Sequence, residues 1–197
     1  MDQRIKKESG YTIIETMIAV SIFIVVVMTG MTALINANLV HEKSQDMRSI
    51  VDGLSFAMEE ISRNLKVGYN YHCIDETPDG LFSGSNTHSC ENGSGISFET
   101  SLPGGGRWTY FLDYDPADGK MKVFKYKDGG TTSFPLTPDE VAIDSVSGFS
   151  VLGAEPPADG DQQQPFVTIR LVGTIDWKGT NTPFSLQTSA SHRLIDI

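Results

Sequence analysis

The first third of the chain carries two successive hydrophobic patterns, and the first of them is an apolar run. No residue from Thr16 to Val40 is charged, and 15 of the 20 residues from Thr16 to Ile35 are Met, Ile, Ala, Val, Phe or Leu. Twenty residues in an α-helix extend about 30 Å, which is the thickness of the hydrocarbon layer of a bilayer. The pattern therefore predicts a membrane-spanning helix within residues 11–40.

The second pattern is a stripe of apolar residues spaced three or four positions apart, as on one face of a helix. Its members are Met47, Ile50, Leu54, Met58, Ile61 and Leu65. Charged residues lie between them, and no Pro occurs from Tyr11 to Lys66. We therefore expect an amphipathic helix over residues 41–67 that continues the membrane helix. A cofactor face or a partner seam has the same spacing, but packing on the protein's own sheet is the commoner use of such a stripe.

Short runs typical of strands follow in the predicted globular domain, residues 68–197. They cover residues 96–100, 107–114, 121–127, 131–134, 149–152, 166–172 and 184–194. Their connections are too short for crossover helices, which favours antiparallel pairing. The tract from Thr77 to Gly95 is rich in Gly, Ser, Asn and Asp and predicts a surface loop. The fold class expected is α+β, with a long N-terminal helix packed on a C-terminal antiparallel sheet.

The charge distribution indicates how such a chain would be oriented. The net charge is −10 and the sequence pI is about 4.7, which argues against nucleic acid as the partner. Residues 1–10 carry +1, from Arg4, Lys6 and Lys7 against Asp2 and Glu8, which leaves −11 for residues 11–197. Cationic residues before a span favour a cytoplasmic N-terminus. The acidic domain is therefore expected outside the cytoplasmic membrane.

Cys73 and Cys90 are the two cysteines of the chain, and both lie in that exterior domain. Secreted domains keep disulfides, so we expect a bridge between them. The bridge closes a loop of 18 residues, counting both cysteines, for which chain entropy predicts about 3 kcal/mol of stabilisation. A zinc site that adds His72 and His88 is the alternative, although adjacent His and Cys rarely bind one ion.

Glu15 stands at the start of the apolar run, where a charge costs up to about 3 kcal/mol at bilayer depth and less near the interface. An ordinary interfacial Glu is one interpretation. However, Lys6-Lys7-Glu8-Ser9-Gly10-Tyr11-Thr12-Ile13-Ile14-Glu15, followed by about 20 apolar residues, resembles the class III signal of type IV prepilins and type II secretion pseudopilins. In that family a basic leader ends in Gly, an aromatic residue follows, and a Glu lies four residues further on. Gly10, Tyr11 and Glu15 match these positions.

The resemblance implies a pilin-like fold and a structural, non-enzymatic role. It implies that a prepilin peptidase removes residues 1–10 as a leader by cutting after Gly10, and that the new amine of Tyr11 is methylated. It implies that Glu15 acts in filament assembly, together with other subunits, an assembly ATPase and an inner-membrane platform. Tyr11 departs from the usual Phe, and the apolar helix lacks the Pro found in many major pilins. A single-span anchored binding domain, such as an adhesin or DNA-uptake receptor, is the alternative.

Candidate chemistry elsewhere in the chain is sparse. No phosphate-loop, His-Glu-x-x-His or Gly-x-Ser-x-Gly motif occurs, so no sequence pattern favours an enzyme or a cofactor. Asp113, Asp115 and Asp118 suggest calcium, which some pseudopilins bind. They do not fit the EF-hand spacing, and a hairpin turn at residues 115–119 explains them better.

Overall fold

The computed structural model describes residues 10–75, 86–100, 105–127, 133–156 and 163–191. Several sequence predictions lie wholly or partly outside these ranges: the leader up to Ser9, residues 77–85 of the predicted loop, residues 131–132 of one predicted strand and residues 192–194 of another. The chain divides into two compact units, one up to Asp46 and one from Met47 onward.

The first unit contains the N-terminal part of helix α1, which extends from Ile13 to Leu65. Thr12 lies before the first turn, where its carbonyl accepts hydrogen bonds from the N–H groups of Glu15 and Thr16 at 3.1 and 3.2 Å. Every described residue from Gly10 to Glu42 is exposed. Among the described residues, one helix is therefore long and apolar enough to cross a membrane, as predicted.

The second unit begins with the rest of α1, whose apolar stripe is buried. The buried members include Ile50, Leu54, Met58, Ile61 and Leu65. They pack in one core with residues from the strands, so the expected packing of the amphipathic half on its own sheet region is confirmed. The helix ends where the hydroxyl of Tyr71 donates hydrogen bonds to the carbonyls of Leu65, at 2.5 Å, and Gly68, at 2.8 Å.

Ten strands follow the helix in the part of the chain that the structure describes. They are β1 (Gly68–Ile74), β2 (Cys90–Gly93), β3 (Gly95–Thr100), β4 (Gly106–Tyr114), β5 (Met121–Lys127), β6 (Phe134–Pro135), β7 (Val141–Ile143), β8 (Gly148–Leu152), β9 (Phe166–Trp177) and β10 (Thr180–Ser191). They form two antiparallel sheets. The first sheet has the order β1-β3-β4-β5-β6, and the second has the order β10-β9-β8-β2, with β7 also paired to β9.

The coarse α+β layout predicted from the sequence is confirmed, but its strands divide differently. A single sheet was expected and two are observed. Strands β1 and β7 were not predicted, and β2 lies inside the tract that was predicted to be a loop. Strand β9 continues to Trp177 and β10 begins at Thr180, because Lys178 and Gly179 form a tight two-residue turn between them. Both turn residues have positive φ, 47° and 80°, which is the type I′ geometry favoured in hairpins.

Candidate functional site

The residues predicted to flank a cleavage site lie exposed just before the helix. Gly10 and Tyr11 precede α1, and the Tyr11 side chain is 82% exposed. A Cβ atom built on Gly10 has no neighbour within 4 Å. A larger residue at position 10 is therefore compatible with the fold, so a change there can be interpreted without a folding defect.

Glu15 occupies the third position of the helix, one turn after Thr12. Its backbone N–H lies 3.4 Å from the Thr12 Oγ1 atom, in addition to its bond to the Thr12 carbonyl. Thr-x-x-Glu at a helix start is the capping-box pattern, and a carboxylate in the first turn also favours the helix dipole. This capping role of Glu15 was not predicted from the sequence, although Thr12-Ile13-Ile14-Glu15 has the Thr-x-x-Glu pattern that indicates it.

Large apolar side chains cover the helix surface in the first unit and are exposed. Phe23 is 67% exposed, and Ile14, Met28 and Leu34 are similarly exposed at 65–68%. A continuous apolar surface of this kind requires a membrane or protein partner, because soluble monomers rarely expose more than a few hundred Å² in one patch.

The hydroxyl groups on this apolar segment are paired within the helix itself. Thr16 donates to the Ile13 carbonyl at 2.8 Å, and Ser21 donates to the Met17 carbonyl at 2.8 Å. Thr29 and Thr32 donate in the same way to carbonyls one turn earlier. Polar groups in a lipid environment must be satisfied internally. These hydrogen bonds make the segment compatible with a hydrocarbon environment. Glu15 is the residue at its start that carries a charge.

The predicted disulfide between Cys73 and Cys90 is present. Cys73 belongs to β1 at the edge of the first sheet, and Cys90 belongs to β2 at the edge of the second sheet. The bridge therefore joins the two sheets rather than only closing a loop. A backbone bond from the Cys73 N–H to the His88 carbonyl, 3.0 Å long, reinforces the same junction.

The other members of the alternative zinc set have different partners. The His72 Nδ1 atom lies 2.6 Å from the Asn86 carbonyl oxygen, and the His88 Nε2 atom lies 3.0 Å from the Asp75 Oδ2 atom. Both sulfur atoms are in the disulfide, so they do not supply thiolates for zinc. Burial is the main cause of a lowered pKa of His72; the nearby His88 and Arg107 lower it further, and the Asn86 carbonyl and Asp75 oppose them.

Asp115 and Asp118 lie in the turn between β4 and β5, as predicted, and they surround the ammonium group of Lys122. Lys122 Nζ is 2.7 Å from Asp115 Oδ2, 2.9 Å from Asp118 Oδ2 and 2.9 Å from Asp139 Oδ1. The Lys122 side chain is only 1% exposed. Asp113 takes no part in this cluster, and its carboxylate accepts the N–H of Tyr114 instead.

The cluster does not fit a calcium ion while Lys122 holds this position, because the ammonium already occupies the point shared by the three carboxylates. Burial lowers the pKa of Lys122, but the hydrogen bonds to Asp115, Asp139 and Asp118 outweigh it, and the net pKa is raised. The bond from Lys122 holds the pKa of Asp115 low. For Asp118 the main cause of a lowered pKa is the backbone N–H of Lys120. The cluster is an internal ion network that fastens the turn to Asp139.

The structure thus places Gly10, Tyr11 and Glu15 at the helix start and joins Cys73 to Cys90. It keeps Asp115 and Asp118 together around Lys122 and leaves Asp113 outside that cluster. Comparisons with protein-family models, with curated proteins and with solved structures found no match to this chain.

Proposed function

We propose that this chain is a structural pilin-like or pseudopilin-like subunit of a type IV pilus, a type II secretion pseudopilus or a competence pilus. It resides in the cytoplasmic membrane through the N-terminal part of α1, with the two-sheet domain outside the cell or in the periplasm. It performs no catalysis. After removal of residues 1–10 by a prepilin peptidase, it enters a filament with other subunits through an inner-membrane assembly platform.

The single observation that carries this proposal is the exposed apolar helix that begins three residues after Gly10. The apolar surface of this helix can contact lipid before assembly and other apolar helices after assembly, because both environments exclude water. An ordinary membrane anchor would need only the apolar length. The adjoining Gly10-Tyr11 pair and the Glu15 carboxylate are extra features that an anchor does not require.

Glu15 has a specific role in this proposal. Cleavage after Gly10 creates a cationic amine on Tyr11, and a carboxylate in apolar surroundings needs such a partner. Within one helix the two groups are separated by four residues, or roughly 6 Å along the axis. Pairing with the amine of a neighbouring subunit would neutralise both charges and set the depth at which the helix enters the filament.

The first test is the identity of the mature N-terminus. Mass spectrometry of protein from cells with an active prepilin peptidase is expected to find N-methyl-Tyr11 as the first residue. Gly10→Val is expected to retain residues 1–10 while the domain stays folded, because a side chain at position 10 meets no neighbour. An intact Met1 terminus in the wild type would refute processing and favour the anchored adhesin or uptake receptor.

The second test separates the assembly role of Glu15 from its capping role. Glu15→Gln removes the charge but keeps a side chain that serves in a capping box. Thr12→Ala removes the capping hydroxyl but keeps the charge. The measurement is the ratio of processed protein in sheared filaments to that in membranes. Glu15→Gln is expected to lower this ratio at least about tenfold, the factor that 1.4 kcal/mol produces.

Thr12→Ala is expected to leave the ratio near that of the wild type. If Thr12→Ala lowers it as much as Glu15→Gln does, helix capping explains Glu15 and the assembly role is wrong. If neither variant changes it, Glu15 is an ordinary interfacial residue.

A further inference from the structure

Strand β10 presents a long free edge. It is the terminal strand of the second sheet, and within the described part of the chain no strand pairs with it on the side away from β9. The two-residue turn makes Trp177 and Thr180 the closing hydrogen-bonded pair of the hairpin. Because hydrogen-bonding direction alternates along an antiparallel strand, the even-numbered residues bond to β9 and the odd-numbered residues direct their N–H and C=O groups outward.

Pro183 agrees with this assignment, since its missing N–H falls on the outward side, where β9 loses no bond. Beyond Pro183, the outward positions are the exposed residues Ser185, Gln187, Ser189 and Ser191. They are uncharged, contain no Pro, and extend over about 20 Å of strand. Their backbone groups form an open template for another strand.

The other edges of the two sheets are short or joined to a neighbouring segment, which makes β10 different. Strand β7, which pairs with β9, has three residues. The edge strands β1 and β2 are linked by the disulfide, and His72 of β1 also forms a bridge with His88, which precedes β2. The edge strand β6 is two residues long and ends in Pro135. Proteins usually block long edge strands with charges, prolines or bulges, because an open edge recruits other chains. Residues 185–191 have none of these devices.

A groove of about 450 Å³ lies beside this edge, between β10 and the C-terminal part of α1. Leu186, Gln187 and Thr188 line it from β10. The helix contributes Ser55, Met58, Glu59, Ser62 and Arg63, and Lys66 lines the groove just after the helix end. A strand added along β10 would place every second side chain in this groove.

The residues that line the groove determine which side chains of an added strand it can bind. Met58 and Leu186 provide an apolar surface. The groove has a net charge of +1, from Arg63 and Lys66 against Glu59. All three side chains are exposed, and none forms an ion pair with another described residue. Arg63 in the last turn of the helix and Lys66 just after it both line the groove, so it offers two cations to an acidic side chain. The complementary strand carries apolar and acidic side chains at alternating inward positions.

We propose that residues 185–191 of β10 bind an extended segment of a partner protein by strand addition. The segment pairs antiparallel with β10 and inserts an apolar and an acidic side chain into the groove. This inference concerns residues 47–197 only and does not rest on the membrane or filament role.

The probe is the acetylated and amidated peptide Ser-Leu-Thr-Asp-Thr-Leu-Ser, added to the full chain in detergent micelles and followed by calorimetry and amide NMR. Its Leu and Asp residues share one face. Replacement of Asp by Lys is expected to weaken binding at least about tenfold, because it opposes Arg63 and Lys66. N-methylation of both Thr residues is expected to abolish binding, because in this register these residues donate to β10.

Variants of the protein test the location. Gln187→Pro removes one outward N–H, as Pro183 already does, and is expected to weaken binding at least about tenfold. Asn181→Pro removes the same group outside the groove and is expected to leave binding unchanged. Arg63→Glu is expected to reverse the preference between the Asp and Lys peptides.

Three results would overturn the proposal. Equal binding of the Asp and Lys peptides would remove the acidic specificity, and no binding would remove the site. Self-association of the chain that Gln187→Pro abolishes would assign the edge to a second copy. If Gln187→Pro impairs folding, the N-methylated peptide tests the same backbone bonds on the wild-type chain.

Discussion

The hydroxyl of Tyr71 closes the C-terminal end of α1 inside the globular unit. Tyr71 is 2% exposed and donates to two carbonyls, those of Leu65 and Gly68. Burial raises the pKa of this hydroxyl, so it stays protonated and remains a donor at physiological pH. Tyr71→Phe leaves the two acceptors without this donor.

We expect Tyr71→Phe to lower the free energy of unfolding by about 1–3 kcal/mol, the cost of unsatisfied buried polar groups. Urea titration of the full chain in detergent measures it. Tyr114→Phe serves as the control, because Tyr114 is 63% exposed and should change stability little. Equal effects of the two changes would contradict the capping role of Tyr71.

The ion network around Lys122 makes the stability of the folded chain depend on pH. The carboxylates of Asp115 and Asp118 have lowered pKa values in the folded chain. Their contribution to stability is full above the unfolded value of about 3.9 and is lost as the pH falls through the folded values. The pKa of Lys122 is raised, so its contribution is full below about 10.4 and is lost as the pH rises through the folded value.

We therefore expect Lys122→Met to reduce stability between about pH 4 and pH 10, and the difference from the wild type to shrink outside that window. Thermal unfolding across pH measures the difference. Lys120→Met is the matched control on the same turn, because Lys120 Nζ bonds only to the carbonyl of Asp139 among described groups. A constant difference at all pH values would show that Lys122 acts through packing alone.

At the scale of elements, the disulfide connects strands that belong to different sheets. Chain entropy for its loop predicts about 3 kcal/mol of stabilisation. We expect the double variant Cys73→Ala, Cys90→Ala to lose about that much in urea titration. The reduced wild type should behave like the double variant. A loss below about 1 kcal/mol would mean that the unfolded chain gains little freedom when the bridge is absent.

The elements that the sequence predicts well are those whose pattern is local. The stripe from Met47 to Leu65 has regular helical spacing, and β4 and β5 are short runs rich in apolar and aromatic residues on either side of a Pro-Ala-Asp-Gly turn. Strand β1 escaped prediction because Asn70 has a positive φ of 53° and the register shifts between Tyr69 and His72, which breaks the alternation. Strand β2 has no strand-like composition and forms through its pairing with β8, more than 50 residues away.

The candidate sites also differ in whether their residues are close together in the sequence. Gly10, Tyr11 and Glu15 form a short contiguous motif, so the sequence alone brings them together. The ion network of Lys122 could not be predicted, because Asp139 lies 17 residues after Lys122, beyond β6. The free edge of β10 also depends on strand order, which the sequence does not encode locally.

At the scale of the whole molecule, the cations of the leader are expected to set membrane orientation. The sequence has Arg4, Lys6 and Lys7 before the apolar run and a net charge of −11 after residue 10. Protease added to spheroplasts should digest the domain of the wild type. Changing all three cations to Gln is expected to reduce the digested fraction several-fold.

The matched control changes Asp2 and Glu8 to Gln and should leave orientation unchanged, since acidic residues contribute little to it. Undiminished digestion of the triple variant would show that the acidic domain, rather than the leader, determines which side it occupies.

The junction between β1 and β2 also determines how the domain bears mechanical load. The chain that leaves α1 at Leu65 reaches Cys73 within eight residues, so the bridge passes a force carried by β1 to the second sheet. The 17-residue separation from Cys73 to Cys90 cannot be pulled out while the bridge is intact. Since the two Cα atoms are 5.9 Å apart, reduction would release about 50 Å of additional extension. The oxidised domain under tension is therefore shorter and stiffer than the reduced one.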